Sequence, residues 1–168
     1  MPATTKTIEI DHGWKALRDR VYKLGDTGAI CRVGVQGPPA AANHQNARIS
    51  VAQIANVHEY GARIWQPKRK RMLIIPARSF LRATVDIYQE AIAKREAAFA
   101  YGVMLGKFDL RTALEAFGSY VVGLIQQRIA DRIDPPNRPY TIAKKRSDVP
   151  LIDKGQLRGS ITYIIEGA

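Results

Sequence analysis

Residues 109–133 read DLRTALEAFGSYVVGLIQQRIADRI, and no other segment of the 168-residue chain constrains the architecture as strongly. The apolar residues of this segment recur at the spacing of one face of an α-helix. They are Leu110, Leu114, Phe117, Val121, Leu124, Ile125, Ile129 and Ile133. Residues 79–105 carry a similar period, and residues 106–108 separate the two segments. We therefore predict two long helices that form an antiparallel hairpin.

Shorter elements are predicted on the N-terminal side of these helices. Residues 6–10 indicate a short edge strand, and Asp11 is placed to cap a helix that ends at Gly25. Residues 29–35, AICRVGV, are rich in β-forming side chains and predict a central strand. The small and polar residues 40–48 indicate an exposed loop.

A second short helix and a strand are predicted just before the helical pair. Ser50 and Gln53 have the spacing of a capping box, so a helix should begin there and end at Tyr60 and Gly61. Residues 71–75 are predicted to form a strand that Pro76 closes.

The C-terminal part is predicted to be extended. Residues 134–150 contain three prolines in their first half, which cannot continue a helix and favour an extended arm. Residues 161–165, ITYII, predict a last strand. We therefore expect an α+β fold in which a small, mainly antiparallel sheet packs against two long helices. The expected regions are a core domain of residues 1–133, a basic arm of residues 134–150, and a turn and strand of residues 151–168 that return to the sheet.

Composition restricts the partners. The chain has 26 Lys and Arg against 15 Asp and Glu, a formal net charge of +11, and such an excess attracts polyanions or acidic protein surfaces. No apolar run approaches the roughly 18 residues that span a bilayer, so no membrane is expected as a partner. The first residues lack the apolar core of a secretory signal, which predicts synthesis in a cytoplasm. Cys31 is the single cysteine, so no internal disulfide is expected.

Complete catalytic or ligand sets are absent from the sequence. His58 and Glu59 form half of a zinc-protease motif, but Ala62 stands where the second histidine is required. His12 and His44 have no Asp or Cys at ligand spacing. We therefore expect a binding or structural protein with no cofactor and no metal, and not an enzyme. A hydrolase with scattered catalytic residues would need a deep pocket lined by titratable groups.

Two basic clusters predict a contact surface. Seven basic residues and no acidic one lie from position 63 to position 82, namely Arg63, Lys68, Arg69, Lys70, Arg71, Arg78 and Arg82. A second cluster is Lys144, Lys145 and Arg146. Such clusters bind DNA phosphates or acidic protein surfaces, although a solvated loop is the alternative for the charges.

Three segments together resemble the tail-completion or head-tail joining proteins of long-tailed bacteriophages. Residues 51–62, VAQIANVHEYGA, resemble the short helix of that family, which ends in an aromatic-glycine turn. Residues 75–82, IPARSFLR, are similar to its Ile-Pro-x-Arg-x-Phe-Leu pattern. Residues 150–161, PLIDKGQLRGSI, are similar to a Leu-Ile-Asp-Thr-Gly-x-Leu-x-x-Ser-Ile signature, with Lys154 in place of the threonine. The motif positions expected to be structural are Tyr60, Gly61, Pro76, Phe80, Leu151, Ile152, Asp153, Gly155 and Leu157.

The resemblance implies a structural protein of the virion neck. Such a protein forms a ring, expected to be a hexamer, that caps the head-proximal end of the tail and joins it to the head connector. The implied partners are further copies of the chain, tail tube or tail terminator proteins and the head connector, with possible non-specific contact to phage DNA. A tail terminator subunit and a basic, non-specific DNA-binding module remain the alternatives.

The arm is expected to contact neighbouring subunits, because stiff proline-containing segments lose little entropy when they bind. Tyr140 and Ile142 are predicted as its apolar anchors. The full set of predicted interface residues is Arg69, Lys70, Arg71, Arg78, Pro136, Arg138, Tyr140, Ile142, Lys144, Lys145 and Arg146.

Overall fold

The computed structural model describes residues 13–26, 28–44, 48–145 and 148–168. The helices are α1 Trp14–Asp26, α2 Gly37–Ala41, α3 Val51–Tyr60, α4 Arg82–Ile87, α5 Gln89–Met104, α6 Leu110–Ala130, α7 Pro139–Lys145 and α8 Gln156–Gly159. The strands are β1 Ile30–Val35, β2 Ala62–Gln66, β3 Arg71–Ile75 and β4 Ile161–Glu166. The strand predicted at residues 6–10 and its following cap Asp11 lie outside the described residues. No described helix is both long and apolar enough to cross a lipid bilayer.

The predicted pair of long helices is present, with one interruption. Asp109 caps α6, because its side chain accepts a hydrogen bond from the Thr112 N–H at 2.7 Å. α5 and α6 are joined by a turn of five residues and pack against each other, so they run antiparallel, and Phe108 of the turn contacts Phe99 of α5 edge to face. The segment predicted as one helix from residue 79 to residue 105 is divided at Tyr88 into α4 and α5.

The strands form two separate antiparallel pairs. β1 pairs with β4, from Ile30 opposite Glu166 to Val35 opposite Ile161, and α6 packs against both strands. β2 pairs with β3 in a hairpin whose turn is the single 3₁₀ turn Pro67–Arg69. Within the described residues β1 pairs with β4 alone, and because the strand predicted at residues 6–10 lies outside them, the central position of β1 stays a prediction. The small sheets and the packed helices make the fold α+β, as predicted.

The core lies where α3, α6 and the C-terminal segment meet. The helical face predicted for α6 is the face that is buried there, because Val121, Ile125 and Ile129 are spaced by single turns and all lie inside. The buried cluster consists of Val51, Ala55, Phe80, Val121, Ile125, Ile129, Ile133, Leu151, Leu157 and Ile161.

Two proline-rich segments are helical where loops or extended chain were predicted. Residues 37–41 form α2, and Ala40 within it is 3% exposed. Residues 134–150 are not extended throughout, because α7 begins at Pro139. The physical reason is the same in both segments. A proline in the interior of a helix breaks it, because the ring removes an N–H donor. In the first turn that N–H would have no partner within the helix, and the fixed φ of proline favours the helical conformation.

Candidate functional site

Glu59, at the C-terminal end of α3, holds the first turn of α4. The residue is 2% exposed, and its carboxylate accepts hydrogen bonds from the backbone N–H groups of Phe80 at 2.8 Å, Leu81 at 3.0 Å and Arg82 at 3.1 Å. The Ser79 hydroxyl donates at 2.6 Å and the Arg82 Nε at 3.1 Å. These contacts, here called the Glu59 clasp, satisfy N–H groups that a helix start otherwise leaves without partners.

The Glu59 clasp keeps its carboxylate ionised. Burial raises the pKa of Glu59, but the hydrogen bonds from Leu81, Ser79, Arg82 and Phe80 favour the charged form more strongly, and the net direction of the pKa is down. A helix N-terminus also favours a negative charge. The clasp therefore uses a buried charge that is neutralised locally by donors and by the Arg82 guanidinium.

The backbone beside Glu59 makes a second join between the same segments. The Arg78 N–H donates to the His58 carbonyl at 2.6 Å. Gly61 has φ +76°, and a Cβ at this position would lie 2.9 Å from the Ala77 nitrogen. The two motif segments at residues 51–62 and 75–82 are therefore in direct contact at a point where the backbones approach too closely for a side chain.

The third motif segment also packs against α3. Leu151 and Leu157 lie in the same buried cluster as Val51 of α3 and Phe80 of the second motif. Gly155 has φ +77° and precedes α8. The segments 75–82 and 150–161 therefore both pack against the segment 51–62, most of which is α3. Of the nine positions predicted as structural, Phe80, Leu151 and Leu157 are buried, whereas Tyr60, Pro76 and Asp153 are exposed.

The β2–β3 hairpin exposes large apolar side chains. Trp65 and Met72 are opposite each other in the register, and they are 54% and 51% exposed. Ile74, on the same face, is 56% exposed. The turn carries the exposed basic residues of the hairpin tip, which we define as Lys68, Arg69, Lys70 and Arg71. The strand β2 was not predicted, so Trp65 was not recognised as part of a surface.

A cleft of about 680 Å³ lies between the hairpin, α3, α7 and the segment before α8, and we call it the cationic cleft. Its walls include the apolar side chains of Ile54, Val57 and Leu73. Its charged lining residues are Arg78, Arg138, Lys145, Lys154 and Asp153. Four cations therefore face one carboxylate, and His58 and His44 also line the cleft.

Arg78 ties the cleft to the C-terminal segment. The residue is 7% exposed, and its Nε and Nη2 donate to the carbonyl oxygens of Pro135 at 2.7 Å and Pro136 at 3.1 Å. Burial lowers the pKa of Arg78. No described carboxylate forms an ion pair with it. Its positive charge is therefore stabilised by hydrogen bonds to neutral carbonyl groups and not by a described carboxylate.

Lys145 and His58 are also partly desolvated in the cleft, whereas Arg138 and Lys154 are exposed at its rim. The Lys145 Nζ donates to the Pro150 carbonyl at 2.9 Å, and its pKa is lowered by burial and by Arg78, while Asp153 raises it. The pKa of His58 is lowered to about 4 by burial and by the charges of Arg78, Lys145 and His44. Its buried Nδ1 has no hydrogen-bond partner among the described groups. The cleft is thus a region of positive potential with little compensating charge.

The predicted interface residues fall into four groups. Arg69, Lys70 and Arg71 are exposed at the hairpin tip, and Pro136, Arg138 and Lys145 line the cleft. Tyr140 is 79% exposed, whereas Ile142 is partly buried. Arg78 also lines the cleft, where it is 7% exposed and its guanidinium donates to carbonyl groups of its own chain. The side chain of Lys144 and all of Arg146 lie outside the described part of the chain.

Sequence reasoning missed the role of Glu59. From the sequence, Glu59 was interpreted only as half of a zinc-protease motif. The available signal for its role is a carboxylate on a largely apolar helix, directly before the aromatic-glycine turn. Within the described ranges, no group of three or more His, Cys, Asp or Glu side chains is placed to hold a metal ion. No family model, curated protein or solved structure matches the chain.

Proposed function

We propose that this chain is a structural subunit of the neck of a long-tailed bacteriophage virion. In this proposal it is a ring-forming tail-completion protein that caps the head-proximal end of the tail and joins the tail to the head connector. The proposal is supported by the packing of two motif-like segments, 75–82 and 150–161, against the third, 51–62, which contains α3. Segments so far apart in sequence resemble one family and also build one structural unit.

The observation that carries an assembly role is the β2–β3 hairpin. A two-stranded hairpin is marginally stable alone in water, and Trp65, Met72 and Ile74 present apolar surface on one of its faces. Exposed apolar patches with a polar rim mark interaction sites. A ring requires each subunit to offer two different complementary surfaces, and the hairpin is well suited to be one of them. The role is that of a non-enzymatic binding protein.

A DNA-binding role is the second candidate, and the hairpin tip favours it. Lys68, Arg69, Lys70 and Arg71 are all exposed, and exposed cations bind phosphates by releasing counterions. The tip and the apolar face belong to one hairpin, so an assembled ring would bring several tips together. A tail terminator subunit would share this arrangement.

The proposed function is tested in virions whose genome encodes this chain. The variant Trp65→Ser with Met72→Ser removes apolar surface that is already exposed, so the free chain should keep its thermal unfolding midpoint. We expect electron microscopy to show tails and filled heads that are not joined. The matched control is Tyr101→Ser, which removes a 58% exposed aromatic side chain from α5 and should leave particles intact. Complete particles without this chain in the neck would contradict the proposal.

A further inference from the structure

The cationic cleft holds an unbalanced set of buried charges. Arg78 and Lys145 are both desolvated, each is bound to neutral carbonyl groups, and each makes the charge of the other less favourable. Of the described charged side chains that line the cleft, Asp153 is the one acid. Desolvated cations are costly unless an anion accompanies them. A ligand with a negative charge would therefore be stabilised in this position.

The walls of the cleft select among anionic ligands. Ile54, Val57, Leu73 and Leu151 contribute apolar surface beside the cations. Duplex DNA presents phosphate and sugar groups on its outer surface, and apolar walls add nothing to their binding. A peptide segment with carboxylates between aliphatic side chains matches both the charge and the walls. The volume of about 680 Å³ also lies in the range of roughly 300–1,000 Å³ usual for ligand pockets.

We propose that the cationic cleft is a docking site for a short acidic and aliphatic segment of a partner protein. One carboxylate lies beside Lys145 and the imidazole of His58, whose buried Nδ1 has no described hydrogen-bond partner. A second carboxylate reaches Lys154 or Arg138 at the rim, and the aliphatic side chains contact the walls. The proposal rests on the cleft alone and holds whether or not the chain is a neck subunit.

The first experiment uses two peptide arrays with the full chain. One array carries eight-residue peptides with one to three aspartates or glutamates among valine, leucine and isoleucine. The second array is identical except that asparagine and glutamine replace the acids. We expect the labelled protein to bind a subset of the acidic peptides at least tenfold more strongly than their amide counterparts. Equal binding to both arrays, or binding to neither, would overturn the proposal.

Variants then locate the binding site. Lys145→Gln and Lys154→Gln should each weaken the best acidic peptide about tenfold, because each removes one charge from the cleft. Lys154 is exposed, so its variant tests the site even if Lys145→Gln loosens the contact with Pro150. The matched control is Lys107→Gln, which removes an exposed lysine at the α5–α6 turn and should have no effect. Equal weakening by all three variants would indicate only general charge attraction, contrary to the proposal.

The bound state also has a spectroscopic signature. A carboxylate beside His58 favours the protonated imidazole, so the bound peptide should raise the pKa of His58 above its value of about 4 in a ¹⁵N NMR titration. A 20-base-pair DNA duplex and inorganic phosphate are titrated in parallel. If the duplex displaces the peptide and Lys154→Gln weakens both equally, the cleft is a nucleic-acid site and the proposal fails.

Discussion

At the scale of the residue, Glu59 shows how one carboxylate organises a junction. Five donors converge on it, and replacing it by glutamine removes the charge and leaves an amide NH₂ facing other donors. We expect Glu59→Gln to lower the free energy of unfolding by about 2–4 kcal/mol, because buried donors lose their partner. Urea denaturation followed by circular dichroism measures the change.

An exposed glutamate provides the control for Glu59→Gln. Glu115 pairs with Arg111 one helical turn away on the solvent-exposed side of α6. Such surface pairs contribute about 0.3–0.5 kcal/mol, so Glu115→Gln should change stability by no more than that. If the two variants are equally stable, the clasp does not hold α3 to α4.

His58 makes stability depend on pH. Its pKa is about 4 in the folded chain against 6.5 ordinarily, so the unfolded state binds more protons between these values. The stabilisation is therefore complete above pH 6.5 and is lost as the pH falls towards 4. We expect a loss on the order of 2–3 kcal/mol over this window, measured by urea denaturation at several pH values. In His58→Gln the dependence between pH 6.5 and 5 should be much smaller, and an unchanged slope would exclude His58 as its source.

Two glycines should respond in opposite directions to the same substitution. At Gly61 the backbone has φ +76° and a new Cβ would meet the Ala77 nitrogen and the Ile75 carbonyl, so Gly61→Ala should destabilise the chain by at least about 1–2 kcal/mol. At Gly123, inside α6, no atom lies within 4 Å of a new Cβ. Gly123→Ala should stabilise the chain by about 0.5–1 kcal/mol. Thermal unfolding of both variants tests the contrast.

At the scale of the element, prediction succeeded where the sequence carries a long period or a specific cap. The apolar period located α6, and the capping box of Ser50 and Gln53 located α3 and is present in the structure. Both signals are recognisable from the residues of one element alone, whatever that element packs against. The strands β1, β3 and β4 were also located, because β-branched residues dominate them.

Elements that depend on their surroundings were missed. β2, ARIWQ, has no apolar run, and its strand conformation follows from pairing with β3. The break between α4 and α5 at Tyr88 has neither proline nor glycine beside it. No helix-breaking residue in the sequence therefore indicates this break. The candidate site was missed for the same reason, since the cationic cleft joins residues from 44 to 157 that only tertiary packing brings together.

At the scale of the whole molecule, the net charge of +11 predicts weak, salt-sensitive attraction to DNA. We expect fluorescence anisotropy to show duplex binding at low salt that falls as salt approaches the physiological range. Replacing Lys68, Arg69, Lys70 and Arg71 together by glutamine should reduce the slope of log affinity against log salt by up to about 3.6, if each cation contacts one phosphate. A slope that does not change would exclude the hairpin tip from DNA contact.

Arg78 lies three residues after β3 and donates hydrogen bonds to the carbonyl groups of Pro135 and Pro136. Glu59 lies three residues before β2 and accepts hydrogen bonds from the start of α4. The two ends of the β2–β3 hairpin are thus hydrogen-bonded to two different segments of the chain. A neighbour bound to Trp65 or Met72 would therefore contact a hairpin that is held to α4 at its first strand and to the segment before α7 at its second strand. Ile64 and Leu73 of the same hairpin line the cationic cleft, so a partner bound to the hairpin would lie directly beside that cleft.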